Sequence, residues 1–455
     1  MATRAIPRVG AVTDAAVDRG FFGHPRGLST LFFTEMWERF SYYGMRAFLL
    51  YYITASVAQG GLGFSDAQGA SIYGTYTGSA WGAAIFGGIV ADRFLGQYRS
   101  VLWGGVLIMF GHLTLVFRAL PFFYMGLGLI ILGTGLLKPS VSTLVGSLYR
   151  QGDHRRDAGF SIFYMGINSG AILGPIIAGY VAQRIDWHLG FGCAAVGMAL
   201  GLTQYVLDRR HLQPAIDRMA AERAARAETS SAHAPGSGAF TAAEWGRIAA
   251  IVVLFVFAIL FWAGYEQAGS TLALMGDRNT RLEVFGFPFP SSWLQSLQPI
   301  FVVLLAPLFA SLWIRLGGRE PSVPVKFGLG LLFMGLAFVI MMPAGAAVDG
   351  DSTLKVSPWP LIAWNLFSEL GELSLSPVGL SAITKLSPAR IVGLMMGVWF
   401  LSIAFGNKLA GSLAAYVTTM PLYSMFGSIA AALIVTAVIM FLISQPVRRL
   451  MGERQ

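Results

Sequence analysis

The chain has 455 residues, of which 55% are hydrophobic and only 12% charged, about half the charged share usual in soluble domains. That composition excludes a water-soluble globular fold. The net charge of +9 does not call for a nucleic-acid partner, because the basic residues sit where membrane topology places them.

Residues 1–27 form a polar arm with Arg4, Arg8, Asp14, Asp18, Arg19 and Arg26 and no apolar stretch of the kind a cleavable signal needs. The first span is therefore expected to act as its own insertion signal. Apolar runs of about 20 residues, enough to cross roughly 30 Å of hydrocarbon, then recur along the chain. Spans are expected at 28–56, 67–90, 100–118, 122–147, 157–183, 189–208, 245–274, 289–314, 323–343, 358–385, 390–418 and 423–445. Six lie on either side of a polar break at 209–243. This break opens with Arg209 and Arg210, continues through an Ala/Arg/Glu stretch at 219–228 suited to a surface helix, and ends in a Ser/Gly/Pro run with the composition of a flexible tether.

The reading is an all-α polytopic membrane protein embedded in a lipid bilayer. It divides into a cytoplasmic arm (1–27), a six-helix bundle (28–208), a cytoplasmic linker (209–243), a second six-helix bundle (244–445) and a cytoplasmic tail (446–455). Basic residues at Arg93/Arg99, Arg150/Arg155/Arg156, Arg209/Arg210, Arg315/Arg319, Lys385/Arg390 and Arg448/Arg449 fall in alternate loops or at the tail, which puts both termini in the cytoplasm of a plasma or bacterial inner membrane. The six-plus-six plan resembles the major facilitator superfamily, whose members bind substrate near the membrane midplane between two rocking halves. The turn at 88–99, with Asp92, Arg93, Gly96 and Arg99, resembles that superfamily's loop signature, although its last basic positions are sparse. Gly174, Pro175, Pro299, Pro307 and Pro377 mark bends and candidate hinges, or positions where a membrane helix tolerates such residues.

The first span carries Glu35, Glu38, Arg39 and Arg46. Each charge at bilayer depth costs about 2.5–3.5 kcal/mol on insertion scales, so these residues must face a wet or protein-lined interior. With Tyr42 they follow spacings of three and four and form one stripe, with Tyr43 at its edge. Two carboxylates beside two guanidinium groups have coupled titrations and suit proton uptake and release, although a permanent ion network bracing the bundle would use the same residues. Lys138, Glu266, Glu369, Glu372 and Lys408 are further isolated charges inside apolar spans. Cations prevail in the first half and acids in the second, a field that fits a small zwitterion. Glu369 can raise its neighbour's acidity threshold by repulsion or can face Lys408; the sequence leaves both open. His112 in the third span reads as a packing residue. Cys193, the one cysteine, cannot form an intrachain disulfide, and no Cys/His cluster has metal spacing.

The run from Glu35 through Glu38, Arg39, Phe40, Tyr42 and Tyr43 to Gly44 resembles the ExxERFxYYG signature of the proton-coupled oligopeptide transporter family. Residues 163–170 resemble that family's fifth-helix FYxxINxG pattern, and residues 371–381 its tenth-helix GELxxSPxGLS pattern. Lys138-Pro139, Tyr265-Glu266-Gln267 and Trp399 also match, so the resemblance covers essentially the whole chain. It implies a proton-coupled symporter that imports di- and tripeptides by alternating access, driven by the proton gradient and the membrane potential.

By the same resemblance, Glu35, Glu38, Arg39 and Glu266 couple protons, and Arg39 and Lys138 receive the peptide carboxylate. Glu372 receives the amino terminus, Asn168 bonds the peptide backbone, and Tyr42, Tyr43, Gln298, Trp399 and Phe400 belong to the binding region. Arg46 also belongs to the binding region, and it forms a gating ion pair with Glu266. Two departures bear on specificity: Gln298 precedes Pro299 where relatives often have Asn, and Trp81 stands where a pocket Tyr is common. No cofactor is expected besides protons as coupling ion, no catalytic residue or enzyme activity, and a monomer as the working unit. The alternatives are a relative carrying another small anion or zwitterion, and a non-transporting peptide sensor.

Overall fold

In the computed structural model, residues 18, 20–150, 153–230, 240–388 and 391–452 are described, with the side chains of 222–230, 393, 417 and 418 excepted. The first half contains α1 (Gly27–Thr54), α2 (Asp66–Val90), α3 (Gln97–Leu115) and α4 (Leu120–Ser147). It continues with α5 (Arg156–Gly174), which passes through a wide turn at Pro175–Gly179 into α6 (Tyr180–Arg184), and ends with α7 (Trp187–Leu207). A separate helix, α8 (Arg209–Ser230), follows. The second half contains α9 (Ala242–Tyr265), continued by a tight turn at Glu266–Gly269 into α10 (Thr271–Arg278), then α11 (Leu297–Leu316), α12 (Val323–Gly350), α13 (Trp359–Leu386), α14 (Val392–Ala414) and α15 (Leu422–Met451). A two-stranded antiparallel hairpin, β1 (Glu283–Val284) with β2 (Phe287–Pro288), joins α10 to α11.

Helix starts follow the local sequence. Ser65 accepts a bond from the Gln68 amide (3.3 Å) while the Gln68 side chain accepts one from the Ser65 amide (3.2 Å), a reciprocal cap that opens α2. Thr241 and Glu244 open α9 in the same way. Asp186 accepts from the amides of His188 (2.8 Å) and Leu189 (3.2 Å) to start α7. Eight of the long helices are apolar enough to cross a membrane on length and composition. The helices α1, α2, α3 and α13 fall outside that set because of their polar content, and α1 and α13 carry most of the intramembrane acids.

The helices sort into two packed groups. In the first, α1 packs on α5 and α7, and α4 on α2 and α3; in the second, α12 packs on α13 and α15, and α9 on α14. The α1–α5 crossing is built on Gly166, Gly170 and Gly174 of α5, where any side chain would enter the backbone or flanking atoms of Phe32, Met36 and Phe40. Small residues at every fourth position let two membrane helices approach closely. Between the groups, α2 packs on α14 and α5 on α11.

Three expected borders change. The 209–243 break, read as a linker with a surface helix at 219–228, is helical from its start, over Arg209–Ser230, because Leu212 and Ala215 are buried and the Arg218 guanidinium donates to the Ser147 carbonyl (3.0 Å), docking the helix against the first group. The Ser/Gly/Pro run at 231–239 lies outside the described residues. The last helix continues to Met451, past Pro446 and through most of the expected 446–455 tail, with Val447 and Met451 buried. The ninth span likewise passes Pro343 and ends at Gly350.

Candidate functional site

Helical spacing places Glu35, Glu38, Arg39 and Tyr42 on the buried face of α1, all at 3% exposure or less. The Arg39 Nε lies 3.0 Å from a Glu35 carboxylate oxygen and is also paired with Glu38, so one guanidinium serves two acids. Its Cζ stands 5.5 Å from the centre of the Tyr42 ring, and Tyr42 meets Tyr43 edge-on at 5.2 Å. Two turns further along α1, Arg46 forms an ion pair with Glu266, at the start of the turn that ends α9, and its Nε donates to the Tyr73 hydroxyl of α2 at 2.6 Å. Both charged side chains of this pair are nearly enclosed. Sequence reasoning missed Tyr73, since a tyrosine in an apolar span carries no signal of its partner.

Lys138 of α4 is half-buried, and none of the described carboxylates lies within ion-pair distance of its ammonium. Its Nζ instead stands 2.9 Å from the ring centre of Trp81 on α2. Trp81 stacks on Phe400 of α14, with ring centres 6.0 Å apart and planes 21° apart. Facing this from the second group, Glu369 is fully buried and accepts a bond from the Tyr265 hydroxyl at 2.8 Å. Glu372, one turn on, is half-buried, with one carboxylate oxygen enclosed and unpartnered among the described residues. Lys408 donates to Thr75 Oγ1 across the groups at 2.7 Å, so it is not the partner of Glu369.

Two expected contacts take a different form. Trp399 is only 2% exposed; its ring packs on Phe327 at 6.4 Å and against Gly379 in the core of the second group, so it does not line the space between groups, whereas its neighbour Phe400 does. Helical rotation of about 100° per residue separates the two. Asn168 is buried, and its amide donates to the Tyr164 carbonyl of its own helix at 2.9 Å rather than standing open to a ligand. Gln298 is half-buried, with an enclosed side-chain nitrogen that has no partner among the described residues. His112 is fully buried, and neither ring nitrogen has a partner among the described residues.

The described hydrogen bonds and ion pairs between the two groups cluster toward the end where α1 finishes. Besides Arg46–Glu266 and Lys408–Thr75, Arg278 forms a two-pronged bond to Asp66 (2.5 and 2.7 Å), and Gln183 donates to Ser291 (2.6 Å). Trp293 donates to the Ile176 carbonyl (3.1 Å), and Ser296 to that of Ile172 (2.9 Å). At the same end α2 and α14 touch through glycine: a methyl on Gly74 would meet the Gly411 Cα at 2.7 Å and the Asn407 carbonyl at 2.9 Å. These contacts close one end of the space between the groups. Asp66 and Arg278 sit at helix ends, where charge is ordinary, and nothing in the sequence marked them as partners.

A family model described as the POT family matches residues 98–216 and 222–432. The chain belongs to the POT family. It is 42% identical to an uncharacterised transporter of Bacillus subtilis (strain 168), over 97% of this chain and 98% of that one. It is 37% identical to a di-/tripeptide transporter of Lactococcus lactis subsp. cremoris (96% and 98% covered) and 35% identical to a peptide transporter of Yersinia enterocolitica (97% and 98%). The fold matches a crystal structure of a mutant of the peptide transporter POT in complex with alafosfalin, with a TM-score of 0.87, 41% identity and 96% and 98% of the two chains covered. It also matches a POT family transporter in complex with 5-aminolevulinic acid (TM-score 0.84, 33% identity, 94% and 98% covered). This POT family member is thus an all-α, multi-pass membrane protein, its described residues forming twelve long helices in two bundles with α8 beside them.

Proposed function

We propose that this chain imports di- and tripeptides across the cytoplasmic membrane by proton symport and alternating access, as a monomer with both termini in the cytoplasm and protons as the only coupling agent. The observation that carries the reading is the division of charge across the space between the bundles. The first bundle presents Arg39, shared by two acids, and Lys138 with no acid partner among the described residues; the second presents the partly open Glu372. A peptide carboxylate would meet the cations and its ammonium Glu372, while Tyr43, Gln298 and Phe400 border the side chains. The named peptide transporters among its relatives support the same cargo.

Protonating Glu35 or Glu38 removes one of the two acids that share Arg39, and protonating Glu266 releases Arg46, so each step loosens a cation that the cargo can use. The energetic requirement is differential: a proton or peptide moves the equilibrium between outward-open and inward-open states only as far as it prefers one state, and a change from 1:99 to 99:1 takes about 5.5 kcal/mol. An inside-negative potential adds about 2.3 kcal/mol per charge per 100 mV. With the termini cytoplasmic, the end closed by Arg46–Glu266 and Asp66–Arg278 faces outward, so the arrangement is the outward-closed one.

The test is uptake of labelled dialanine into liposomes with an acid-outside gradient, alongside Glu38→Gln and empty vesicles. Uptake that collapses with the gradient and is lost in the variant supports symport. Binding without gradient-driven uptake points instead to a sensor. A second cargo reading, another small zwitterion, draws on the relative solved with 5-aminolevulinic acid and predicts that this compound competes where dialanine does not.

A further inference from the structure

Lys138 shares its surroundings with two acids, Glu35 and Glu38, and two cations, Arg39 and Arg46, all on α1. An ammonium in that company is expected to join a carboxylate, yet both carboxylates are held by Arg39. Its Nζ lies 2.9 Å from the Trp81 ring centre, well inside the roughly 6 Å at which an aromatic face attracts a cation. The indole is in turn held from the other bundle by the parallel ring of Phe400. Gly78, one turn before Trp81, brings the α2 and α14 backbones so close that a methyl there would stand 2.8 Å from the Ala404 carbonyl. The indole plate is thus fixed on two sides, and its electron-rich face is the site offered to Lys138.

We propose that Trp81 is a positioning residue for Lys138: its indole face seats the ammonium apart from the Glu35/Glu38 acids and keeps it available as the cation for an incoming carboxylate. The proposal builds on the peptide reading for the identity of that carboxylate, but the seat itself is independent of cargo. An aliphatic side chain, though smaller than the indole, offers no face that attracts a cation; Phe or Tyr restores the attraction. Without an aromatic face the ammonium falls back on Glu35 and Glu38, so a carboxylate ligand must displace that pair before it binds.

The experiment combines Trp81→Leu, Trp81→Phe and Lys138→Met, singly and as Trp81→Leu/Lys138→Met, in the full-length purified protein. Trp81→Met replaces the leucine variant should that one fail to fold. Equilibrium binding of labelled dialanine is expected to weaken about tenfold in Trp81→Leu, or about 1.4 kcal/mol, and by less than about twofold in Trp81→Phe. Without any ligand, the losses in thermal midpoint of Trp81→Leu and Lys138→Met are expected not to add, because each removes the same contact. Additive thermal losses, or a phenylalanine variant as weak as the leucine variant, overturn the proposal. Non-additive thermal losses among the variants, together with a wild-type protein that fails to bind dialanine, support the seat and refute the peptide reading instead.

Discussion

Gly74→Ala tests whether the α2–α14 contact is a latch that exists only while the outer end is closed. The added methyl would stand 2.7 Å from the Gly411 Cα and 2.9 Å from the Asn407 carbonyl, where ordinary contact begins at 3.4 Å. Both obstacles are backbone, so the helices must separate by several tenths of an ångström. Overpacking of this kind costs about 1–3 kcal/mol. The gain in helix propensity of about 0.8–1.0 kcal/mol on replacing glycine applies in either state and cancels from the comparison. The equilibrium should therefore move toward the outward-open state by about 5- to 150-fold, the ratio that 1–3 kcal/mol represents. The assay uses spin labels on cysteines at Ala58 and Ser352, both exposed at that end, in a Cys193→Ala background that removes the one native cysteine. Pulsed dipolar measurement should show a longer-distance population grow in the variant. Gly128→Ala, where a methyl meets nothing within 4 Å, is the control and should leave the distances unchanged. Identical distributions in Gly74→Ala and wild type would refute the latch.

Replacing Arg46 by Ala leaves the enclosed Glu266 carboxylate without its partner, and breaking such a pair costs about 3–5 kcal/mol in the state that buries it. The same spin-label pair should report outer opening, and adding Glu266→Gln should restore much of the closed population. The charge swap Asp66→Arg with Arg278→Asp should recover uptake lost in either single variant, and since the Arg278 side chain is 44% exposed each single change should cost no more than about 1 kcal/mol. His112→Leu should keep uptake and hold or raise the thermal midpoint, because the imidazole is buried with both nitrogens unpartnered among the described residues and an apolar replacement removes that desolvation cost. At the end where α1 begins, His24 Nδ1 lies 2.9 Å from the Tyr149 hydroxyl, and burial, then the nearby Arg155 charge, lowers its pKa below 6.5. A histidine whose folded pKa is depressed binds fewer protons folded than unfolded, so docking of the segment at 21–26 should weaken as pH falls through about 6.5 toward its folded value. Limited proteolysis of that segment across pH 5–8 should show faster cleavage at the acid end, and His24→Asn should flatten the profile.

The sequence by itself determined what depends on composition and local spacing. Apolar runs set the number of spans because each must cover the same hydrocarbon thickness. The three- and four-residue steps from Glu35 to Tyr42 made a single stripe because helix geometry is fixed. Charge at bilayer depth is so costly that Glu35, Glu38, Arg39, Lys138, Glu266 and Glu372 stood out as site residues before any coordinates. Tertiary structure decided which of these meet. Arg39 takes both carboxylates and leaves Lys138 to an indole; Glu369 goes to Tyr265 and Lys408 to Thr75; Trp399 turns into the core while Phe400 faces the other bundle. Gly170, which read as part of a signature, and Gly174, which read as a bend, are with Gly166 the places where α1 crosses α5. Partner choice between helices rests on distances between residues tens to hundreds of positions apart, set by how helices pack, and a spacing along one helix carries no record of it.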